Sequence, residues 1–189
     1  MGREFELKFA AEEAQQEAIA ARFGAFETIT MATTYYDAPD GALSARHITL
    51  RRRLENGVSV CTVKTPCENG GRGEWELPCE EVAAAIPELC KLGAPIELLA
   101  WTARGVVSIC GARFTRRAKK VILEDCTVEL ALDRGVLMGG EKEAPLCEVE
   151  VELKSGSEAA AVAFAKALAE EFGLKPEKKS KFRRAKDLV

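Results

Sequence analysis

Glu4-Phe5-Glu6-Leu7-Lys8-Phe9 stands at the start of the chain, and the rest can be read outward from it. Side chains two apart on a strand share a face. One face of this segment therefore carries Glu4, Glu6 and Lys8, and the other carries Phe5, Leu7 and Phe9. The pattern returns far down the chain in Cys147-Glu148-Val149-Glu150-Val151-Glu152-Leu153-Lys154, where Glu148, Glu150 and Glu152 lie opposite Val149, Val151 and Leu153. Two such strands side by side would assemble a carboxylate cluster that needs divalent cations, or a dense set of Arg and Lys, to be tolerated.

A single strand with one charged face is ordinarily a surface strand with that face in water. Recurrence with both signs of charge argues otherwise here. Leu50-Arg51-Arg52-Arg53-Leu54 puts Arg51 and Arg53 on one face, and Val60-Cys61-Thr62-Val63-Lys64 puts Thr62 and Lys64 on one face. Arg72-Gly73-Glu74-Trp75-Glu76 aligns Arg72, Glu74 and Glu76. A solvated sheet has no need to sort its charges into rows.

With 189 residues, the chain is long enough for one domain with a core and short for two, so residues 1–189 are read as a single domain. Charged residues at 30 % and hydrophobic residues at 47 % suit a globular protein and exclude a disordered one. The net charge of −3 gives no overall attraction to nucleic acid or to an anionic membrane, so neither is expected as a partner. No apolar run reaches the ~18 residues of a membrane-spanning helix, and the N-terminus lacks the layout of a signal peptide. Seven cysteines, an odd number without any CxxC pair, fit neither a zinc ribbon nor a disulfide scaffold. They read as reduced thiols, and the expected location is cytoplasmic. His47 is the only histidine and reads as a loop residue. A homodimer is left open.

Residues 3–9 read as a strand and 11–23 as a helix closed by Gly24. A strand over 26–37 leads to the turn signal Pro39-Asp40-Gly41, and Asn56-Gly57 predicts a hairpin between 46–54 and 58–65. Residues 66–73 read as a loop before a short strand at 74–78. Broken helical stretches are expected over 79–104. Further strands are expected at 106–110, 113–123, 127–133 and 146–154, with a loop at Gly139-Gly140. Residues 157–172 are the clearest helix, with Ser157 to cap it and Gly173 to end it. Many short strands joined by tight connections suggest an antiparallel barrel. The alternation places charge inside and apolar faces outside, under the helices. A charged lumen is costly unless its charges are paired, hydrated or metal-bound, which marks it as a functional site.

These segments, in this order, closely resemble the CYTH family, also called triphosphate tunnel metalloenzymes. The resemblance rests on Glu4, Glu6 and Lys8; Tyr35-Tyr36-Asp37; Arg51 and Arg53; Thr62-Val63-Lys64; Arg72, Glu74 and Glu76; Arg116; Glu129 and Asp133; the acidic strand around Glu148 to Lys154; and Ser180-Lys181. It covers essentially the whole chain and is nearest the bacterial inorganic triphosphatase branch. It implies an α+β fold, an eight-stranded antiparallel β-barrel with flanking helices that binds a triphosphate and Mg²⁺ or Mn²⁺. Arg and Lys neutralise a triphosphate, and Arg forks hold it bidentately. That role falls to Lys8, Arg51, Arg53, Lys64, Arg116 and Lys181. Hard oxygen ligands suit Mg²⁺ or Mn²⁺, and Glu4, Glu6, Glu148, Glu150 and Glu152 are assigned to it. Lys8, Glu148 and Glu150 are the catalytic candidates, with Glu148 or Glu150 orienting the attacking water. Arg72, Glu74, Glu76, Glu129 and Asp133 are assigned supporting ion pairs, the last two with a share in metal binding.

The expected reaction is hydrolysis of inorganic triphosphate. Thiamine- or nucleoside-triphosphatase, adenylate cyclase and a non-catalytic polyphosphate-binding module are the alternatives. The cyclase branch carries a His-Phe pair before its ExExK segment, and here only Met1-Gly2-Arg3 precedes it. A thiamine substrate needs an apolar platform at the mouth, and no stretch of the sequence supplies an obvious one. Arg117, Lys119 and Lys120 read as solvated strand surface, Trp75 and Trp101 as packing residues, and the basic tail from Lys178 to Arg184 as either a cover for one mouth or a frayed end.

Overall fold

The computed structural model describes residues 2–66 and 72–189; for residues 2–4 and Arg72 it describes the backbone alone. Cys67, most of the expected loop 66–73, and the side chains of Glu4 and Arg72 therefore lie outside the described residues.

The strands are β1 (Gly2–Glu4), β2 (Glu6–Ala10), β3 (Glu27–Asp37), β4 (Thr49–Glu55), β5 (Val58–Pro66), β6 (Arg72–Pro78), β7 (Val107–Ile122), β8 (Cys126–Gly139), β9 (Lys142–Gly156) and β10 (Lys175–Pro176). The helices are α1 (Glu13–Phe23), α2 (Val82–Lys91), α3 (Leu98–Trp101), α4 (Glu158–Phe172) and α5 (Lys181–Lys186). All strands belong to one antiparallel sheet ordered β1-β6-β5-β4-β3-β7-β8-β9-β2-β10. β1 and β2 are one N-terminal run divided at Phe5. Its first half pairs with β6 and its second with β9, so the sheet wraps round on itself. β10 pairs with the edge of β2 that β6 leaves uncovered, and the Glu177 amide donates to the Lys8 carbonyl at 2.9 Å. Counting the N-terminal run once and setting aside the two-residue β10, the wall has eight strands, as expected.

Two expectations change, and one open alternative is decided. Residues 106–110 and 113–123 form one strand, β7, that runs through Gly111. Glycine usually breaks a strand pattern, but here it allows close approach: a Cβ at Gly111 would lie 2.7 Å from the Thr33 carbonyl oxygen. The loop expected at Gly139-Gly140 is a tight hairpin between β8 and β9, both longer than predicted. Of the two readings of the basic tail, the cover over one end is the one the structure shows. The tail forms α5, in which the Ser180 hydroxyl accepts from the Arg183 amide at 3.1 Å.

The apolar faces point outward, as the alternation predicts. Val149 and Val151 of β9 with Val128, Leu130 and Leu132 of β8 are buried beneath Ile19 of α1 and Ala161, Ala165 and Leu168 of α4. Leu50, Cys61 and Val63 of β4 and β5 lie beneath Ala85, Ile86 and Leu89 of α2 and Leu98 of α3. Trp75 and Trp101 pack against this second core, and Arg46 stacks over Trp101. Outside the wall, Arg117 pairs with Glu17 at 3.0 Å and Lys119 donates to the Ala25 carbonyl at 3.1 Å.

The interior is not charged throughout. At one end the inward positions are Tyr35, Phe114, Leu137 and Leu146, and α5 covers them with Phe182 and Ala185. The Tyr35 and Phe182 ring centroids lie 5.1 Å apart. A six-residue helix is not stable alone, so α5 persists through this burial and the ion pairs below.

Candidate active site

The remaining interior is a cavity of about 660 Å³. Its walls include Glu6, Lys8, Arg51, Arg53, Lys64, Glu74, Glu76, Arg116, Glu129, Glu150, Glu152 and Lys181, so strands distant in sequence bring most of the expected residues together. Strand register sorts these residues into levels, because directly opposed residues share a face.

At the deepest level Asp133 of β8 opposes Glu148 of β9, both wholly buried and behind the cavity lining. Arg116 forks onto Asp133, with Nε 2.8 Å from Oδ1 and Nη2 2.7 Å from Oδ2, and its Nη2 also donates to Glu150. Lys181 of α5 enters the same cluster, with Nζ 2.7 Å from Asp133, 2.8 Å from Glu150 and in contact with Glu148. Arg184, one turn further along α5, donates to Glu148. Three carboxylates thus meet three cations. Glu148 was expected to ligate a metal; it is placed instead behind Lys181, with its charge already answered by Lys181 and Arg184. Lys181, expected to bind substrate, has an ammonium held among three carboxylates. The Asp133, Glu148 and Glu150 oxygens lie within 4.8 Å of one another, a spacing that could hold a metal ion, and Lys181 fills it.

These contacts set the titration. Burial alone would raise Glu150, but Lys181 and Arg116 outweigh it and hold the carboxyl well below its usual range. Burial raises Glu148 despite Lys181. Burial would lower Lys181, and the three carboxylates reverse the sign. A depressed carboxyl stabilises the fold above its unfolded value of about 4.3, and that stability is lost as pH falls through the lower folded value. A raised lysine stabilises below about 10.4, and that is lost as pH rises through the higher folded value. Glu148, raised instead, acts in the opposite sense and adds stability as pH falls toward its folded value; the larger Glu150 shift dominates below that, so melting temperature should fall below about pH 4, with α5 released first. An acid titration followed by the tryptophan and amide signals would show this; a broad stability maximum below pH 4 would contradict it.

One level outward, Lys8 opposes Glu150. Beyond that, Glu6 of β2 opposes Glu152 of β9, which opposes Glu129 of β8, so three carboxylates lie side by side across three strands. Lys154 lies 2.8 Å from Glu152 and 3.8 Å from Glu129, and Lys8 lies 3.4 Å from Glu6. The opposite wall is basic: Arg51, Arg53 and Lys64. Glu74, expected to brace the basic strands, lies 3.5 Å from Arg51 and 3.3 Å from Lys64. Glu76, expected to do the same, has Thr62 Oγ1 at 3.5 Å and no ion pair among the described residues. The Nε atoms of Arg51 and Arg53 are buried without a hydrogen-bond partner. Burial, together with neighbouring Arg51, lowers the Arg53 pKa. Glu55, Glu74 and Glu76 stand among these three cations, and the two Nε atoms are what is left without an acceptor.

The outer row is the more open of the two carboxylate groups. Glu6, Glu129 and Glu152 offer carboxylate oxygens on adjacent strands and keep 26–30 % exposure, leaving room for the waters that Mg²⁺ retains. The deep cluster is closed and neutralised.

The sequence left Arg184, Lys154, Tyr35 and Gln16 without a role. Lys154 continues the Glu148-Glu150-Glu152 alternation, and Arg184 shares a helical face with Lys181 at i+3; both signals were present. Gln16 gave none: its fully buried amide donates to the carbonyls of Asp133 and Glu148 at 3.0 and 2.9 Å, gripping both strands from outside the wall.

An antiparallel wall around a cavity with carboxylates and cations on facing sides, covered at one end by α5, is a tunnel-like fold with a charged interior. The model of the CYTH domain matches residues 2–185, and the chain belongs to the CYTH family. An inorganic triphosphatase of Haemophilus influenzae is 31 % identical over 138 residues, 69 % of this chain and 38 % of that protein. The match thus spans well under half of that relative's length. Among solved structures, HpAC1 from Hippeastrum, described as having a dominant triphosphatase activity, aligns with TM-score 0.65 at 16 % identity over 98 % of this chain and 96 % of that one. PH1819 of Pyrococcus horikoshii aligns with TM-score 0.64 at 22 % identity over 98 % and 99 %. These two likenesses establish the fold.

Proposed function

We propose that the protein hydrolyses inorganic triphosphate to diphosphate and phosphate inside this cavity, with Mg²⁺ or Mn²⁺ as cofactor. The observation that carries the reading is the group of inward cations Arg51, Arg53 and Lys64, two of them with buried Nε atoms lacking an acceptor, facing a row of carboxylates across a cavity large enough for a small polyanion. The relative named as an inorganic triphosphatase supports the same chemistry.

Arg51, Arg53 and Lys64 hold the phosphoryl oxygens, with Lys8 reaching in from β2 beside the acidic row. The orphaned Nε atoms of Arg51 and Arg53 take acceptors from the substrate. Glu6, Glu152 and Glu129 hold the metal, with Glu4 as a further candidate from the same run. When bound, the metal supplies charge neutralisation at the phosphoryl oxygens. Of the two candidates for orienting water, Glu150 lines the cavity and Glu148 does not. Glu150 stays ionised and accepts a hydrogen bond from the water, whose oxygen attacks the terminal phosphorus; one water proton passes to the leaving diphosphate and the other stays on the phosphate formed. The phosphoanhydride bond breaks and its electron pair leaves on diphosphate, whose charge is met by the basic wall. Asp133 and Glu148 keep Arg116, Lys181 and Arg184 in place.

A nucleoside or thiamine triphosphate is the second reading, favoured by the apolar side chains of Phe5, Ile29 and Met31 in the cavity lining. The basic wall is tested by Arg53→Ala. It should raise KM for triphosphate by roughly 10- to 100-fold, the loss of one hydrogen bond to a charged group at about 1.5–3 kcal/mol, with kcat changed much less. Steady-state phosphate release measures both; an unchanged KM removes Arg53 from the substrate site.

A further inference from the structure

Among the described residues, five buried side-chain nitrogen or oxygen atoms have no hydrogen-bond partner, and three of them belong to two neighbouring strands: Thr33 Oγ1, Arg51 Nε and Arg53 Nε. Thr33 of β3 directly opposes Arg53 of β4, so their side chains share a face. That face is the inward one, since Met31 and Tyr35 on β3 and Arg51, Arg53 and Glu55 on β4 line the cavity. On its other side Thr33 opposes Ala112 of β7. Of the two residues that oppose Thr33, Arg53 alone carries a polar side chain. The place is also firmly held. β7 passes so close to β3 that a Cβ at Gly111 would lie 2.7 Å from the Thr33 carbonyl oxygen. A buried hydroxyl without a partner costs stability and calls for an explanation. Arg53 leans along its own strand, where Nη1 donates to Glu55 at 3.1 Å, and this leaves Nε as the spare donor.

Resting on the reading of this cavity as a triphosphate site, we propose that Thr33 is a further substrate-binding residue, whose hydroxyl donates to the same phosphoryl oxygen as Arg53 Nε. Two groups without acceptors oppose each other across one strand pair, and a single acceptor between them satisfies both. The Arg53 Nε can only donate, and the Thr33 hydroxyl rotates to donate as well. The place therefore presents donors alone. An anionic oxygen, which has no hydrogen of its own to accommodate, suits it better than water. Entry of that oxygen turns the Arg53 head group off Glu55, whose side chain is 39 % exposed and whose ion pair is correspondingly weak. A phosphoryl group is the stronger acceptor of charge-assisted bonds. Thr33 adds what the long cations lack. Its side chain is short and stiff at χ1, and its strand is clamped at Gly111, so it fixes the depth at which one phosphoryl group comes to rest.

The test is Thr33→Val, which keeps the β-branched shape and removes only the hydroxyl. Phosphate release from tripolyphosphate with Mg²⁺ and the melting temperature are measured together. KM should rise about threefold to tenfold, the net contribution of one hydrogen bond, with kcat held within about twofold. Melting temperature should hold or rise, because a methyl group replaces a buried orphan. Thr33→Ser, which keeps the hydroxyl, should return KM to within about twofold of the parent. In an Arg53→Ala background, Thr33→Val should change KM by less than about twofold, because the two donors serve one oxygen and do not act independently. An unchanged KM in Thr33→Val overturns the proposal, and so does an equal effect in both backgrounds. A Thr33→Val protein that melts well below the parent or does not fold also overturns it, since the hydroxyl then serves the fold. In each of these cases, hydrolysis by the parent leaves the triphosphatase reading intact. If the folded parent releases no phosphate, that reading fails, and the same variants are judged by calorimetric affinity for tripolyphosphate on the same criteria. A parent that neither hydrolyses nor binds tripolyphosphate overturns both.

Discussion

Lys181→Met should lower the free energy of unfolding by about 3–5 kcal/mol, the cost of removing one partner from a buried ionic cluster. The ammonium it deletes lies among Asp133, Glu148 and Glu150, with its side chain 10 % exposed. Arg116 and Arg184 cannot replace it, since both already hold carboxylates of the same cluster. Lys181 is also one of the few residues tying α5 to the wall, so its loss should expose Tyr35 and Phe114 at the covered end. Urea unfolding at neutral pH gives the number. Lys181→Arg should recover part of the loss, because the charge is kept and only the fit changes. A Lys181→Met protein as stable as the parent would mean that the cluster contributes nothing net, as some buried ion pairs do.

Glu6→Gln should cut metal-dependent hydrolysis by at least about 100-fold, the upper end of what losing a residue that merely supports a metal ligand costs. The substitution is nearly isosteric and removes one charge from the Glu6, Glu152 and Glu129 row, while Lys8 keeps Glu150 opposite it. Because Glu6 is 29 % exposed and outside the apolar cores, melting temperature should move by only a few degrees, in keeping with the effect of ordinary surface substitutions. The activity loss should be relieved in part by raising Mn²⁺, since the deficit is in metal affinity. Full activity at limiting metal would take Glu6 out of the metal site.

Much of this was legible in the chain because a strand has a period of two. Alternation in residues 4–9 and 147–154 assigned each side chain to a face, and the structure keeps nearly all of them there. The hairpin at Asn56-Gly57 and the long helix from Ser157 to Gly173 followed from local turn and cap chemistry. What local patterning could not supply was register. Nothing along the chain says that Glu6 opposes Glu152 while Lys8 opposes Glu150, and it is this pairing that separates an open carboxylate row from a closed, neutralised one. Glu148 illustrates the limit: alternation put it on the inner face correctly, but its access to the cavity depends on Lys181, which arrives from the far end of the chain. The split of the N-terminal run at Phe5 and the passage of β7 through Gly111 were hidden for the same reason, since both depend on which backbone passes alongside. Gln16 was silent because an amide on an amphipathic helix looks like solvated surface until two carbonyls meet it.

The central claim is that this cavity turns over a small polyphosphate with a divalent ion. Phosphate release from inorganic triphosphate, ATP and thiamine triphosphate, measured in parallel with Mg²⁺, Mn²⁺ or EDTA, tests it most directly. The account predicts release from inorganic triphosphate in either metal, strong preference for it over the two organic triphosphates, and none in EDTA. Release that persists in EDTA, or tight triphosphate binding with no release in any metal, would contradict it.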